Sequence, residues 1–124
     1  MATPVRIADD RAAGEILVVD VKWLGATALV QPWGELDLAS AETLRAALAE
    51  IGAPRSLVLD MRGLSFIDSA GLHLLTEIHG RAAREGFELE FIAPPPPADR
   101  AIRVCGLDRH MTFVADPPAD ELAA

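Results

Sequence analysis

The stretch Leu64-Ser65-Phe66-Ile67-Asp68-Ser69-Ala70-Gly71-Leu72 sets a carboxylate, a hydroxyl and a glycine side by side where an apolar run breaks off. A serine on a sharp turn is a hydrolase nucleophile when the pattern is G-x-S-x-G. Here Ile67 stands at the first glycine position, where the strained elbow needs glycine. A triad completed by the distant His110 is correspondingly disfavoured. The plainer chemistry is capping: Asp and Ser at a helix N-cap accept bonds from free backbone N–H groups, worth about 1 kcal/mol. Capping does not account for Gly71. A glycine in a first helical turn costs about 1 kcal/mol against alanine, which implies that something approaches the backbone closely there.

Other catalytic equipment is missing from the chain. No G-x-x-x-x-G-K-[ST] occurs, and no G-x-G-x-x-G follows a strand, so nucleotide binding lacks its usual support. His73 and His79 would fall about 240° apart on a helix and His110 is remote, so no metal spacing exists. Neither metal nor other cofactor is expected. The carboxylates fall mostly on solvent faces, as Glu88 and Glu90 do. Trp23 and Trp33 read as core or hairpin packing rather than a ligand face. The single cysteine, Cys105, cannot form an internal disulfide and is expected to be buried.

The elements that must position Ser69 follow from periodicity. Residues 15–23 alternate, with Leu17, Val19, Val21 and Trp23 on one parity, as a half-buried strand does. Leu24-Gly25 turns the chain into a second strand over 27–33, making a hairpin. Residues 38–51 change to helical spacing through Ala41, Leu44, Leu48 and Ile51, with Ser40 and Glu42 suited to the N-terminal end. Gly52 and Pro54 stop that helix. Residues 56–61 hold Leu57-Val58-Leu59 without alternation, the mark of a central strand covered on both faces. Strand three therefore delivers the chain, through residues 63–68, to a second helix over 70–85 with its stripe on Leu72, Leu75, Ile78 and Ala82 and its C-cap at Gly86. Ser69 then lies at the carboxyl end of a central strand, where open α/β sheets place function. A fourth strand carries Phe87, Leu89 and Phe91. The prolines 94–97 lead to a third helix over 98–105 and a short strand over 111–114.

This order, β-β-α-β-α-β-α-β, gives an α/β fold: one domain with a mixed central β-sheet and helices packed against it. Residues 1–14, without apolar period, are expected to be a flexible lead-in, 15–115 the domain, and 116–124 an acidic, proline-containing tail. A chain of 124 residues, 51% hydrophobic and 24% charged, suits a single globular core. Its net charge of −8 argues against nucleic acid and anionic membrane as partners and is compatible with docking on another protein. No apolar run approaches the roughly 20 residues of a bilayer span, and acidic residues stand where a signal peptide carries its apolar segment, so a cytoplasmic location is expected.

Asp68-Ser69-Ala70-Gly71 after Leu64-Ser65-Phe66-Ile67, with Gly34-Glu35-Leu36-Asp37 ahead of the first helix and Ala41-Glu42-Thr43-Leu44 within it, resembles the STAS domain, and more closely the stand-alone bacterial anti-sigma factor antagonists. The resemblance spans residues 15–115 and implies a STAS-like fold without enzymatic activity of its own. It implies that Ser69 is phosphorylated by an anti-sigma factor that is itself a serine kinase, and that a serine phosphatase restores it. Asp37, Asp68 and Gly71 would then be the phosphosite environment, and Glu35, Asp37, Asp68, Ser69, Ala70, Leu72 and His73 the partner-binding surface. Ala70 stands where many antagonists carry a second hydroxyl, and Ser65 is the fallback acceptor. The ATP belongs to the kinase. The family's alternative role is an accessory or scaffold subunit of a lipid-transport ABC system or signalling complex.

Overall fold

The computed structural model describes residues 5–8 and 17–118. Strands β2 (Val18–Leu24) and β3 (Thr27–Leu36) form the expected hairpin, with Gly25 at φ 63° in the turn and Lys22 opposite Leu29. β3 runs parallel to β4 (Ser56–Asp60), and β4 parallel to β6 (Glu88–Ile92). Strand β1 (Val5–Ala8) pairs antiparallel with β2, giving the order β1-β2-β3-β4-β6. β4 is central, and Leu57, Val58, Leu59 and Asp60 are all buried, as its unbroken apolar run predicted.

Helices α1 (Ala41–Ile51), α2 (Ser69–Glu85) and α3 (Ala98–Val104) all contribute to the main core, where Leu44, Leu48, Leu74, Leu75, Ile78 and Ile102 meet Val19, Val30, Leu57 and Leu59. The opposite parity of the strands supplies a smaller cluster of Leu24, Leu29, Val58 and Ile92. The apolar stripe of α2 is turned slightly from the expected one: Leu74 is buried, whereas Leu72 is only half-buried.

Four local expectations are corrected. Val5–Ala8 lies inside the segment expected to be a flexible lead-in and instead forms the edge strand β1; the run is too short to show a period, and backbone pairing decides it. The rest of that lead-in, like the end of the tail beyond residue 118, lies outside the described residues. Leu64–Ile67, read as a connection, is strand β5: β3 is ten residues long and outruns β4, so its far end offers an edge that β5 takes up. The final strand reduces to one parallel bridge, Phe91 with Phe113, made by two backbone hydrogen bonds of 2.8 and 2.9 Å. Cys105 is exposed rather than buried, because it follows the last turn of α3 just before Gly106 turns the chain with φ 79° into a 3-10 turn at Leu107–His110.

Candidate functional site

The site is built where β3 changes partner. β3 pairs with β4 as far as Val30 and with β5 (Leu64–Ile67) from Gly34 onward, and a bulge between Gly34 and Glu35, with Gly34 at φ 116°, then shifts the register so that Glu35 lies opposite Phe66 and Leu36 opposite Ile67. Glycine alone takes that φ without strain. Immediately beyond these paired ends come the loop at residues 37–40 and the start of α2. The two motifs singled out in the sequence are therefore neighbours in space.

Asp68 joins them. Its backbone is extended, its Oδ1 accepts the Gly71 N–H at 3.0 Å and its Oδ2 accepts the Leu38 N–H at 3.1 Å. Its own N–H donates to the Leu36 carbonyl at 3.1 Å, and its carbonyl accepts from Leu72 at 2.9 Å. Asp68, not Ser69, is thus the cap of α2. The hydroxyl of Ser69, the first residue of the helix, is exposed and makes no hydrogen bond among the described residues.

The loop opposite is organised by Ser40, a residue predicted to cap α1. It is fully buried and faces backward: Oγ donates to the Glu35 carbonyl at 2.7 Å and accepts the Asp37 N–H at 2.9 Å. Asp37 returns the contact, its Oδ1 accepting the Ser40 N–H at 3.0 Å while its carbonyl takes the Ala41 N–H at 2.8 Å. These reciprocal bonds fix where Asp37 sits relative to Asp68. Asp37 and Glu35 are half-buried beside the mouth of α2.

Gly71 has an internal explanation. A β-carbon there would lie 2.6 Å from Ile67 Cγ1 and 2.7 Å from the Leu36 carbonyl oxygen. What approaches the backbone at Gly71 is the end of β3 and β5, and glycine lets α2 begin directly against them.

Ser69 opens onto a shallow depression of about 360 Å³, walled on one side by Leu72, His73 and Thr76 of α2 and on the other by Cys105, Leu107 and His110. The second wall comes from residues some forty positions later, and sequence spacing gave no sign of it. His110 and Ser69 share this depression with no hydrogen bond between them among the described residues, and the His110 ring lies 6.5 Å from that of His79. A serine nucleophile needs a base in hydrogen-bond contact. Behind His73, Glu77 Oε1 lies 3.4 Å from His73 Nε2 and receives Arg45 Nη2 at 3.1 Å, while its Oε2 receives Arg45 Nε at 3.1 Å. The Arg45 hydrogen bonds hold the Glu77 carboxyl below the usual carboxylate range.

Of the residues singled out in the sequence, Glu35, Asp37, Asp68, Ser69, Gly71, Leu72 and His73 gather around the start of α2, with Ala70 half-buried among them. Ser65 is set apart on β5, its Oγ donating to the Gly34 carbonyl at 3.3 Å. Ser40 and the Leu38 amide were not anticipated as organisers. The three-residue spacing of Asp37 and Ser40, typical of side-chain-to-backbone turns, was the available signal.

Comparison with solved structures finds the same fold in several proteins. An anti-sigma factor antagonist from Mycobacterium paratuberculosis superposes with a TM-score of 0.76 at 24% identity, over 91% of this chain and 96% of that one. The Bacillus cell fate determinant SpoIIAA in its phosphorylated form gives 0.60 at 22%, over 85% and 95%. The murine solute carrier 26 family member A9 anion transporter gives 0.65 at 17%, over 91% of this chain but only 20% of the transporter. At these identities the likeness concerns the fold. The sequence itself matches the model of the STAS domain over residues 19–118, through both motifs and every helix of the sheet's main face, and the chain belongs to the STAS domain family.

Proposed function

We propose that this protein is an anti-sigma factor antagonist switched by phosphorylation of Ser69. Unphosphorylated, it binds an anti-sigma factor with serine kinase activity and so frees a sigma factor; phosphorylated, it releases that partner until a serine phosphatase resets it. The observation that carries the proposal is the division of labour at the start of α2: Asp68 performs the capping, leaving the Ser69 hydroxyl exposed and unbonded. A hydroxyl consumed in a cap would have to break that bond to react. Fold likeness to antagonists, one of them a phosphorylated form, supports the same reading.

The chemistry belongs to the partner. Ser69 Oγ attacks the γ-phosphorus of ATP held by the kinase; the new O–P bond forms, the bond to the β-phosphate oxygen breaks, ADP leaves, and the hydroxyl proton passes to a base on the kinase. The product carries about −1.5 to −2 extra charges on the first turn of α2, beside Asp68 and Asp37. Burying such a charge unpaired in an interface costs several kcal/mol, and each 1.4 kcal/mol is about tenfold in affinity. Binding is thereby lost without refolding the domain.

Incubation with the cognate kinase and ATP labels Ser69. Label persisting in Ser69→Ala refutes the assignment, and transfer of that label to Ser65 would identify the fallback acceptor. Ser69→Ala retains the partner, whereas Ser69→Glu binds weakly. The alternative, an accessory or scaffold subunit of a lipid-transport system, instead yields an ABC ATPase in a pull-down.

A further inference from the structure

We propose that His73 is the positioning residue for the phosphate on Ser69, drawing it along the outer face of α2 and away from the Asp68 carboxylate. The inference rests on Ser69 as the phosphoacceptor. Asp68 already occupies the Gly71 N–H with Oδ1 and the Leu72 N–H with its carbonyl, so the capped end of α2 presents a negative group to the phosphate. Four residues along the helix the situation reverses. Side chains at i and i+4 stand about 5–6 Å apart at their β-carbons, and Ser69 and His73 line one depression in which no lining residue is a carboxylate. In a chain of net charge −8, a depression with no carboxylate in its lining exposes a dianion at the acceptor hydroxyl to less repulsion than the Asp68-capped end of the helix does.

His73 is free to take this role. Its side chain is 73% exposed and, among the described residues, its ion-pair partner is Glu77 at 3.4 Å, a carboxylate already engaged by two hydrogen bonds from Arg45. The groups facing His73 are Glu77 on α2, Arg45 of α1 acting through Glu77, and Cys105 and His110 across the depression. A phosphate dianion with unshared charge is a stronger partner than Glu77. Phosphoserine loses its second proton near about pH 6, so its dianion forms within the physiological range. A cationic imidazole favours the dianion and lowers the phosphate's titration midpoint.

The test uses the full chain with phosphoserine installed genetically at position 69, titrated by phosphorus NMR from pH 5 to 8. The phosphate midpoint should lie about half a pH unit lower than in the same phosphoprotein carrying His73→Gln, the size that exposed ion pairs give. His79→Gln, which removes an imidazole from α2 outside the depression, should leave the midpoint where it is. Equal midpoints with and without His73, an equal rise in His79→Gln, or a rise confined to His110→Gln would each overturn the proposal. Since no kinase is needed, a null titration removes the role of His73 alone, whereas failure of a kinase to label Ser69 removes the switch.

Discussion

Asp68 and Leu38, thirty residues apart in the chain, are joined by a 3.1 Å hydrogen bond from the Leu38 N–H to Oδ2, while the other carboxylate oxygen caps α2 at Gly71. One side chain therefore holds the loop before α1 and the start of α2 in register. Asp68→Ala removes both bonds and should cost about 1–3 kcal/mol, the sum of a cap and a charge-assisted bond. Thermal melting reads the loss, and faster amide exchange at Leu38 and Gly71 locates it. A variant with the lower stability but unchanged exchange at Leu38 would refute the bridging role.

Gly71 and Gly80 lie on the same helix and respond oppositely to alanine. At Gly71 a methyl group would meet the Leu36 carbonyl oxygen at 2.7 Å and Ile67 Cγ1 at 2.6 Å, and backbone cannot step aside. Gly71→Ala should destabilise by about 1–3 kcal/mol despite alanine's better helix propensity. At Gly80 the nearest atom is the mobile end of Arg84, 3.2 Å away. Gly80→Ala should stabilise by about 0.5–1 kcal/mol. Paired denaturant unfolding curves check both signs at once.

The difference between these glycines marks how far the sequence could be read. Alternation and the unbroken Leu57-Val58-Leu59 run identify the hairpin, the central strand and two long helices because burial imposes period on side chains. β5 escaped because four residues carry too little period, and because its existence depends on β3 outrunning β4 by several residues. At the site, the types of Asp68, Ser69 and Gly71 were legible, whereas their division of roles was not. Ser40 is a good cap by type and an organiser of Asp37 by geometry, a choice made by the carbonyl of Glu35, which accepts its hydroxyl. The far wall, with Cys105 and His110, arises from tertiary packing that no local pattern records.

Asp60, at the end of β4, has a side chain only 3% exposed and should give the domain a measurable acid sensitivity. Burial raises its pKa, but Arg62 Nε and Nη2 at 2.9 and 2.8 Å, Gln31 Nε2 at 3.0 Å and the Arg62 N–H at 3.1 Å more than offset this and hold it below the ordinary value. A depressed folded-state pKa contributes stability that is present above the unfolded value, about 4, and is lost as pH falls through the folded value. Asp60→Asn should therefore cost about 1.5–3 kcal/mol at pH 7, as for hydrogen bonds to charged groups. The gap between variant and wild type should close below about pH 4. A gap that stays constant down to pH 2 would show that the carboxylate's charge is not what stabilises this strand end.

Cys105 places a free thiol in the wall facing Ser69. A bulky maleimide on its exposed thiol would occupy part of the depression of about 360 Å³ without entering the core, to which Ile102, not Cys105, contributes. If a kinase must cover this surface to reach Ser69, the adduct should slow phosphate transfer at least about tenfold, since a misplacement of 1 Å can cost a hundredfold. Cys105→Ser should be phosphorylated at the unmodified rate and be indifferent to the reagent. Phosphate incorporation measured with and without maleimide, on both proteins, makes the comparison. An adduct phosphorylated as fast as the free protein would mean that the kinase approaches Ser69 from the side of Asp37 and Glu35, leaving the wall formed by α3 and the 3-10 turn outside the interface.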